Sequence, residues 1–267
     1  MSPVSLLPTA PSPPVSVGLL SEVRACALIP TYDNPATVAD VVRRAQAHLP
    51  VIVVDDGSGP VAAEVLAGLS GVHLIRHARN RGKGAALRTG FDAARRLGFS
   101  HAISLDADGQ HLPEDLPALL AAARAEPSAL ILGVRDLAGS GAGWGSRIGC
   151  WLSNAWLRLA GGPALADTQT GFRVYPLEAI GHLGLRGVRY DLEVEVLARA
   201  SWEGLALRSR PIQVRYFPRE ERVSHMGVLA MARVALAWLA LLGERILGRR
   251  RFSRLPASHH GDSGAGA

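Results

Sequence analysis

Cysteine is scarce in this chain of 267 residues, since only Cys26 and Cys150 occur. Two thiols cannot build a disulfide framework, and they fit a reducing compartment. Aromatic residues make up only 5% of the chain, and neither a basic patch interleaved with aromatic residues nor a zinc-ligand spacing is found. The sequence therefore predicts no nucleic-acid partner.

Two common nucleotide-binding motifs are also missing. A dinucleotide-binding fold of the usual type has Gly-x-Gly-x-x-Gly after its first strand, and the chain has no such run there. Residues 82–84 read Gly-Lys-Gly but lack the frame of a phosphate-binding P-loop. A nucleotide site in this chain must therefore be built in another way.

The two ends of the chain have little that could fold. Residues 1–24 are rich in Pro, Ser and Val, and no early Lys or Arg provides the positive start of a secretory signal. We expect a disordered arm there. Residues 249–267 begin with three arginines and continue with Ser, His and Gly, so we expect a disordered basic tail.

The remaining composition is that of a globular protein with a positive surface. Hydrophobic residues account for 48% of the chain and charged residues for 19%, which is enough for a large core. The formal net charge is +6 and the sequence pI is about 10.1. This excess favours an anionic membrane surface or a phosphate-bearing ligand.

Short apolar runs alternate with helical patterns in the first half of the chain. Such alternation predicts an α/β fold with a mainly parallel, doubly wound sheet, in one domain over residues 25–225. In the first helix we expect Asn34 to cap and Pro35 to take the first helical position. Another helix is expected over residues 146–159. The predicted strands are residues 25–29, 51–54, 72–75, 102–105, 129–132 and 212–216.

Residues 226–248 form a long apolar helical pattern that ends in basic residues. Its uncharged stretch, residues 234–243, is shorter than the roughly 20 residues that span a membrane. A spanning helix and a core helix remain alternatives, but we expect a helix that lies on the cytoplasmic face of the membrane. Arg245 and the arginines at 249–251 would then face anionic headgroups.

Two carboxylates stand at the end of the fourth predicted strand, in the run Asp106-Ala107-Asp108-Gly109-Gln110. Ligands of open α/β sheets bind beyond the carboxyl ends of the strands. Hard oxygen ligands at such a position suit Mg²⁺ or Mn²⁺, which also bind diphosphates. A solvated turn with a capping aspartate is the alternative for such a short motif.

Four further segments, together with this run, resemble the motifs of family 2 glycosyltransferases of the GT-A fold. The resemblance covers roughly residues 25–226 and is greatest to the branch with dolichyl-phosphate mannose synthase and bacterial polyprenyl-phosphate glycosyltransferases. It implies an α/β fold with a Rossmann-like, doubly wound mixed sheet of the GT-A type. The segments are Pro30-Thr31-Tyr32, Asp55-Asp56-Gly57-Ser58, Asn80-Arg81-Gly82-Lys83-Gly84 and Asp167-Thr168-Gln169-Thr170-Gly171-Phe172-Arg173.

This resemblance implies a role for each matching position. The metal would be held by Asp106, Asp108 and Gln110. The donor nucleotide would contact Pro30, Tyr32, Asp55, Lys83, Asp106, Arg135 and Arg147. Catalysis would depend on Asp108, Asp167, Asp191, Arg219 and Arg222. Asp56 is expected to hold a turn, and only one of Asp191 and Glu193 can face the cleft, because residues i and i+2 diverge on a helix.

The expected activity is inverting transfer of a sugar from UDP or GDP to a lipid-linked or polyprenyl-phosphate acceptor at the cytoplasmic membrane face. A hydroxyl acceptor would need a general base, whereas a phosphate acceptor is already anionic and needs cations. A sugar nucleotidyltransferase and a non-catalytic sugar-nucleotide or lipid-binding relative are the alternatives. The chain departs from the family at Asn34, Arg222 and His225, where Glu, Gly and Lys are usual.

Overall fold

The computed structural model describes residues 22–136, 144–215 and 228–247. Their strands form one seven-stranded sheet in the order β3-β2-β1-β4-β6-β5-β7. The strands are β1 Ala25–Thr31, β2 Val51–Asp55, β3 Val72–Arg76, β4 His101–Ser104, β5 Leu130–Arg135, β6 Arg173–Pro176 and β7 Leu207–Ile212.

Helices connect most of these strands and cover both faces of the sheet. A 3-10 turn at Pro113–Asp115 precedes α4. The helices are α1 Val38–Gln46, α2 Pro60–Ala67, α3 Lys83–Arg96, α4 Leu116–Ala125, α5 Trp144–Leu159, α6 Leu177–Gly181, α7 Asp191–Trp202 and α8 Val228–Ile246.

The sheet confirms the predicted α/β class and its doubly wound mixed topology. Strand β1 pairs in parallel with β2 on one side and with β4 on the other. Their carboxyl ends therefore open at the same edge of the sheet. Strand β6 is antiparallel to both β4 and β5, and it makes the sheet mixed.

Two sequence-based boundaries were wrong. Residues 35–37 form a turn and α1 begins only at Val38, so Asn34 does not cap it; the Asn34 side chain instead donates to Tyr32 O at 2.9 Å. The last strand ends at Ile212, where it was predicted to begin. Strand β7 lies at the sheet edge and carries two exposed arginines, Arg208 and Arg210, so it lacks the apolar run that marked the other strands.

Alternate residues of β1 point into two separate cores. Leu28 packs on one face among α3, α5, α6, α7 and α8, and Ile29 packs on the other among α1 and α4. Helix α7 lies deep in the first core, with residues 192–200 all buried. Since α7 begins beside the open edge of the sheet, this burial holds its first turn firmly at that edge.

Helix α8 has two apolar faces. Trp238, only 1% exposed, and Leu241 pack into the core, whereas Leu236 and Leu239 face outwards. The inner face makes α8 a core helix, which the apolar pattern alone did not distinguish from an interfacial one. Among the helices of the described residues, none has both the length and the apolar character needed to cross a bilayer. The predicted arm before Glu22 and the tail after residue 248 lie outside the described residues.

Two glycines within helices provide a matched test of this packing. A Cβ on Gly90 of α3 would strike the buried Leu28 side chain, whereas a Cβ on Gly243 of α8 has open space around it. We expect Gly90→Ala to lower the free energy of unfolding by about 1–3 kcal/mol through overpacking. Gly243→Ala should raise it by about 0.5–1 kcal/mol through helix propensity. Urea denaturation of both variants measures this, and a stabilising Gly90→Ala would contradict the packing of α3 on β1.

Candidate active site

The first part of the site is a buried carboxylate at the end of β2. Asp55 Oδ1 accepts a hydrogen bond from Ser58 N at 2.9 Å, and Asp55 Oδ2 lies 3.2 Å from Arg76 Nε. On the neighbouring strand β1, Pro30 is buried and Tyr32 follows half-buried. A carboxylate, a guanidinium and an aromatic ring thus stand at adjacent strand ends, which suits the base and ribose of a nucleotide.

The adjacent Asp56 holds the turn that leads into α3. Its Oδ1 accepts from Arg81 N at 2.9 Å, and its Oδ2 accepts from Gly82 N at 2.6 Å. His77 Nδ1 lies 2.6 Å from Oδ1 and completes the buried cluster. These contacts give Asp56 a structural role at the turn that leads into α3, although the predicted role was in its own turn over residues 55–58. They also place Lys83 at the start of the helix.

Lys83 joins two carboxylates from different parts of the chain. Its Nζ lies 2.7 Å from Asp106 Oδ1 and 3.1 Å from Glu193 Oε1. Burial lowers the pKa of Lys83, but the two carboxylates outweigh burial and hold that pKa above its ordinary value. Burial likewise raises the pKa of Asp106, and Lys83 reverses this and holds the pKa below its ordinary value. Both groups are therefore charged at neutral pH.

Asp108 lies close enough to this ion pair for the charge on Asp106 to act on it. Its Oδ1 accepts a hydrogen bond from Gln110 N at 3.0 Å. Burial, with the nearby Asp106 charge adding to it, raises the pKa of Asp108 to about 6. Crowded carboxylates of this kind are stabilised by a divalent cation.

The donor set fits a hard cation. Two carboxylates and the side-chain oxygen of half-buried Gln110 are the oxygen ligands that Mg²⁺ or Mn²⁺ takes. Within residues 22–136, 144–215 and 228–247, no three His, Cys, Asp or Glu side chains converge as a metal site. Asp106 and Asp108 would therefore share the cation with Gln110 and with oxygens of a bound ligand.

The segment around Gly171 lies directly against Asp106. A Cβ on Gly171 would come within 2.9 Å of Asp106 Cγ, so only glycine leaves room for the carboxylate. Ser104 Oγ donates to Gly171 O at 2.6 Å. The fully buried Arg173 donates to the carbonyls of Thr168 and Thr170. These bonds hold the turn after residue 167 against the end of β4.

Arg135 and Asp167 form a bidentate ion pair at the end of β5. Arg135 Nε lies 2.6 Å from Asp167 Oδ2, and Arg135 Nη2 lies 3.0 Å from Asp167 Oδ1. Gln169 N and the Cys150 thiol also donate to Asp167 Oδ1. Burial raises the pKa of Asp167, but Arg135 outweighs burial and holds that pKa below its ordinary value. A carboxylate in this state is a weak base.

The other predicted residues are placed differently from this cluster. Asp191 caps the backbone, because its Oδ1 accepts from Arg189 N at 2.7 Å at the start of α7. Glu193, two residues on, is the one that reaches the site. Arg147 is exposed on the first turns of α5. Arg219 and Arg222 lie outside the described residues.

Two contributors to the site were not predicted as ligands or partners. Arg76 is the last residue of β3, and its position at a strand end next to β2 was the available signal. His111 follows the Asp106–Gln110 run, and its ring packs against Phe172 with centroids 5.4 Å apart. Burial lowers the pKa of His111 to about 4, so the ring is neutral at pH 7.

Comparison with known proteins places these motifs in a family. A family model described as glycosyl transferase family 2 matches residues 26–184. Polyprenol monophosphomannose synthase of Mycolicibacterium smegmatis is 32% identical over 76% of this chain and 81% of its own length. Undecaprenyl-phosphate mannosyltransferase of Micrococcus luteus is 28% identical over 71% and 83%. A UDP-N-acetylglucosamine–dolichyl-phosphate N-acetylglucosaminyltransferase of Methanococcus voltae is 27% identical over 71% and 84%.

Solved structures show the same fold at lower sequence identity. Glucosyl-3-phosphoglycerate synthase of Mycobacterium tuberculosis, crystallised with Mg²⁺ and UDP, aligns with a TM-score of 0.62. The alignment covers 83% of this chain and 80% of that one at 17% identity. S. aureus TarS, crystallised with UDP-GlcNAc, aligns with a TM-score of 0.52 at 12% identity, over 82% of this chain and 66% of that one.

The raised pKa of Asp108 makes stability depend on pH. Its folded pKa of about 6 lies above the unfolded value near 3.9, so the folded state binds more protons between these values and loses stability as pH rises. Without divalent cations, Asp108→Asn should raise the free energy of unfolding at pH 8 by about 1–3 kcal/mol. The gain should disappear below about pH 4.

Chemical denaturation across pH measures this difference, and Asp92→Asn, a change at an exposed aspartate paired with Arg95, is the control. With Mg²⁺ and a nucleoside diphosphate the order should reverse, because only the unmodified protein gains binding energy from the metal. Parallel pH curves for Asp108→Asn and the unmodified protein would refute the raised pKa of Asp108. A metal-dependent gain that survives the substitution would refute its role as a ligand.

Proposed function

Since the chain belongs to glycosyl transferase family 2, we propose that it transfers a sugar from a nucleoside diphosphate to a polyprenyl phosphate with inversion at the anomeric carbon. The observation that carries the choice of acceptor is the Arg135–Asp167 pair. In this pair the Arg135 guanidinium is 17% exposed, and the Asp167 carboxylate is occupied by it. A hydroxyl acceptor would instead require a carboxylate that is free to act as a base.

Three relatives support a lipid-phosphate acceptor. Their names specify polyprenol monophosphomannose, undecaprenyl phosphate and dolichyl phosphate. The sugars that the names give are mannose and N-acetylglucosamine, so the acceptor class is what the three have in common. We therefore assign the acceptor class and leave UDP and GDP as the two donor nucleotides to be tested.

The state of the candidate bases agrees with an anionic acceptor. Asp167 is locked onto Arg135 and has a lowered pKa, and Asp191 is engaged by the Arg189 amide. A phosphate oxygen is already a nucleophile at pH 7 and needs no proton removed. What it needs is a cation that attracts and orients it, and a guanidinium held in a fixed plane by a buried carboxylate provides such a charge.

The donor would lie across the ends of β1, β2 and β4. Asp55, Arg76 and Tyr32 suit the base and ribose, and Lys83 suits the diphosphate because it is charged and lies beside Asp106. Mg²⁺ or Mn²⁺ bound by Asp106, Asp108 and Gln110 would neutralise charge on the leaving diphosphate. Lys83, which pairs with Asp106, would add a second positive charge.

The outer faces of α5 and α8 support attachment to the cytoplasmic membrane surface. Of the twelve large exposed apolar residues in the described ranges, eight lie on these helices or directly after α8, which concentrates apolar surface on one part of the molecule. They are Ile148, Trp151, Leu152, Leu159, Leu236, Leu239, Ile246 and Leu247. The C-terminal ends of the two helices are near each other, since a Cβ on Gly161 would contact the Arg245 guanidinium.

The arrangement connects the lipid surface to the acceptor site. The inner face of α5 carries Cys150 and Asn154, which bind Asp167 and Thr168. Its outer face carries Trp151, which is 68% exposed. A lipid whose tail enters the bilayer under α5 could therefore bring its phosphate to Arg135 across one helix. Exposed arginines on both helices would favour anionic lipids.

The first expected result concerns the acceptor phosphate. A radiolabelled UDP- or GDP-sugar with Mg²⁺ should give product with undecaprenyl phosphate and none with undecaprenol. Arg135→Lys keeps the charge but loses the bidentate fork. We expect it to raise the KM for the lipid phosphate by roughly 10-fold or more, as for loss of a charge-assisted hydrogen bond worth about 1.5–3 kcal/mol.

Arg208→Lys is the matched control, because Arg208 is a surface arginine paired with Glu126. It should leave the KM unchanged. Thermal unfolding checks that Arg135→Lys is folded. Equal turnover of undecaprenol and undecaprenyl phosphate would overturn the acceptor assignment, and an unchanged KM in Arg135→Lys would remove Arg135 from it.

The second expected result concerns the membrane. The protein should co-sediment with vesicles that contain phosphatidylglycerol more than with neutral vesicles, and salt should weaken this binding. Trp151→Glu and Leu239→Glu should each reduce it, because a charge opposes burial of the apolar face. Val61→Glu is the control, since Val61 is equally exposed at 68% but lies on α2.

Equal loss of vesicle binding in all three variants would mean that the added negative charge weakens binding wherever it is placed, and this would contradict a specific role for α5 and α8. Binding that resists high salt and carbonate, and that is equal on neutral vesicles, would contradict a surface attachment. The absence of binding to either vesicle would show that the outer faces of α5 and α8 do not contact lipid.

A further inference from the structure

A short segment after α6, residues 186–189, lies against the beginning of α3. Ala85 N donates to Val188 O at 2.8 Å, so the segment accepts one of the unpaired amides of the first helical turn. A Cβ on Gly84 would come within 2.6 Å of the segment's backbone. The position of the segment therefore determines where the first turn of α3, and Lys83 with it, can lie.

Glu195 of α7 holds this segment in place. One of its oxygens, Oε2, accepts hydrogen bonds from Arg186 N at 2.8 Å and from Gly187 N at 2.7 Å. The residue is 6% exposed, so these are charge-assisted bonds in a buried place. Within the first turns of α7, Glu193 binds Lys83 directly, and Glu195 binds the segment that covers the turn carrying Lys83.

The other oxygen of Glu195 is linked to α8 through Arg199 of α7. Glu195 Oε1 accepts from Arg199 Nε at 2.7 Å, and Arg199 is 3% exposed in its side chain. Arg199 Nη2 lies 3.0 Å from Glu244 Oε2 on α8. The carboxylate is thus fixed from both sides, by backbone amides and by an arginine that α7 and α8 share.

We propose that Glu195 is a positioning residue for donor binding: it holds the 186–189 segment against α3 and thereby keeps Lys83 between Asp106 and Glu193. The inference rests on the proposed function, because a nucleoside diphosphate is the ligand that Lys83 would bind. Glu195 does not touch the donor site itself. It acts through the geometry of α3, as an outer partner of a charged ligand group does.

The test begins with Glu195→Gln, which keeps the size of the side chain and removes its charge. Titration with UDP and with GDP, each with Mg²⁺, should show roughly 10-fold weaker binding. Hydrogen exchange should become faster at the amides of residues 83–88. Glu126→Gln removes a carboxylate from a surface ion pair with Arg208 and should change neither measurement.

A double substitution separates positioning from a general loss of stability. In a Lys83→Ala background, Glu195→Gln should have no further effect on nucleotide binding, because the group that it positions is absent. A full additional loss in that background would overturn the proposal. So would unchanged exchange at residues 83–88 in Glu195→Gln.

A second variant covers the case in which Glu195→Gln does not fold. Gly84→Ala leaves Glu195 in place and pushes the 186–189 segment away from α3. It should weaken nucleotide binding and lose that effect in the Lys83→Ala background. Normal nucleotide binding by Gly84→Ala, with the fold intact, would contradict the proposal.

The failure of the proposed function would look different. In that case the unmodified protein would transfer no sugar and bind neither nucleotide. Hydrogen exchange at residues 83–88 would still report whether Glu195 holds the first turn of α3. Faster exchange in Glu195→Gln but not in Glu126→Gln supports the positioning role, and equal exchange in both rejects it.

Discussion

The contact of one ammonium group with two carboxylates, one half-buried and one buried, is the constraint on which the rest of the site depends. Lys83 can pair with Asp106 and Glu193 only if β4, α3 and α7 meet at one edge of the sheet. Removing either carboxylate from water without this partner would cost several kcal/mol, on the order of the penalty for a buried charge. Much of the nearby polar structure, from Asp56 beneath the turn to Gly171 beside Asp106, serves to keep this meeting point in place.

The Arg135–Asp167 pair illustrates how a partner changes the chemistry of a carboxylate. Asp167 occupies a place where a catalytic base could be expected, yet its two oxygens receive the guanidinium, an amide and a thiol. The same contacts that lower its basicity orient Arg135. A carboxylate that orients a cation is suited to an acceptor that already carries negative charge, and it is poorly suited to one that must lose a proton.

Helices α5 and α8 each serve two surroundings at once. Trp238 and Leu241 of α8 fill the core, while Leu236 and Leu239 remain outside. Helix α5 holds Asp167 on its inner side and exposes Trp151 on its outer side. In a globular protein an exposed apolar face on a well-packed helix needs a partner, and a bilayer beneath two such helices would provide one.

The sequence by itself determined the class of fold and the edge at which the site lies. Local apolar runs mark β1, β2 and β4. Parallel strands joined by helices bring the polar residues at their carboxyl ends to one edge of the sheet, independently of the loop conformations. It could not decide the pairing of Arg135 with Asp167 or the choice of Glu193 over Asp191. Partners in such pairs are far apart along the chain, and helical periodicity does not say which face turns to the cleft. The predicted position of edge strand β7 was wrong for a similar reason. Its exposed arginines give no apolar run, and only the pairing with β5 defines the strand.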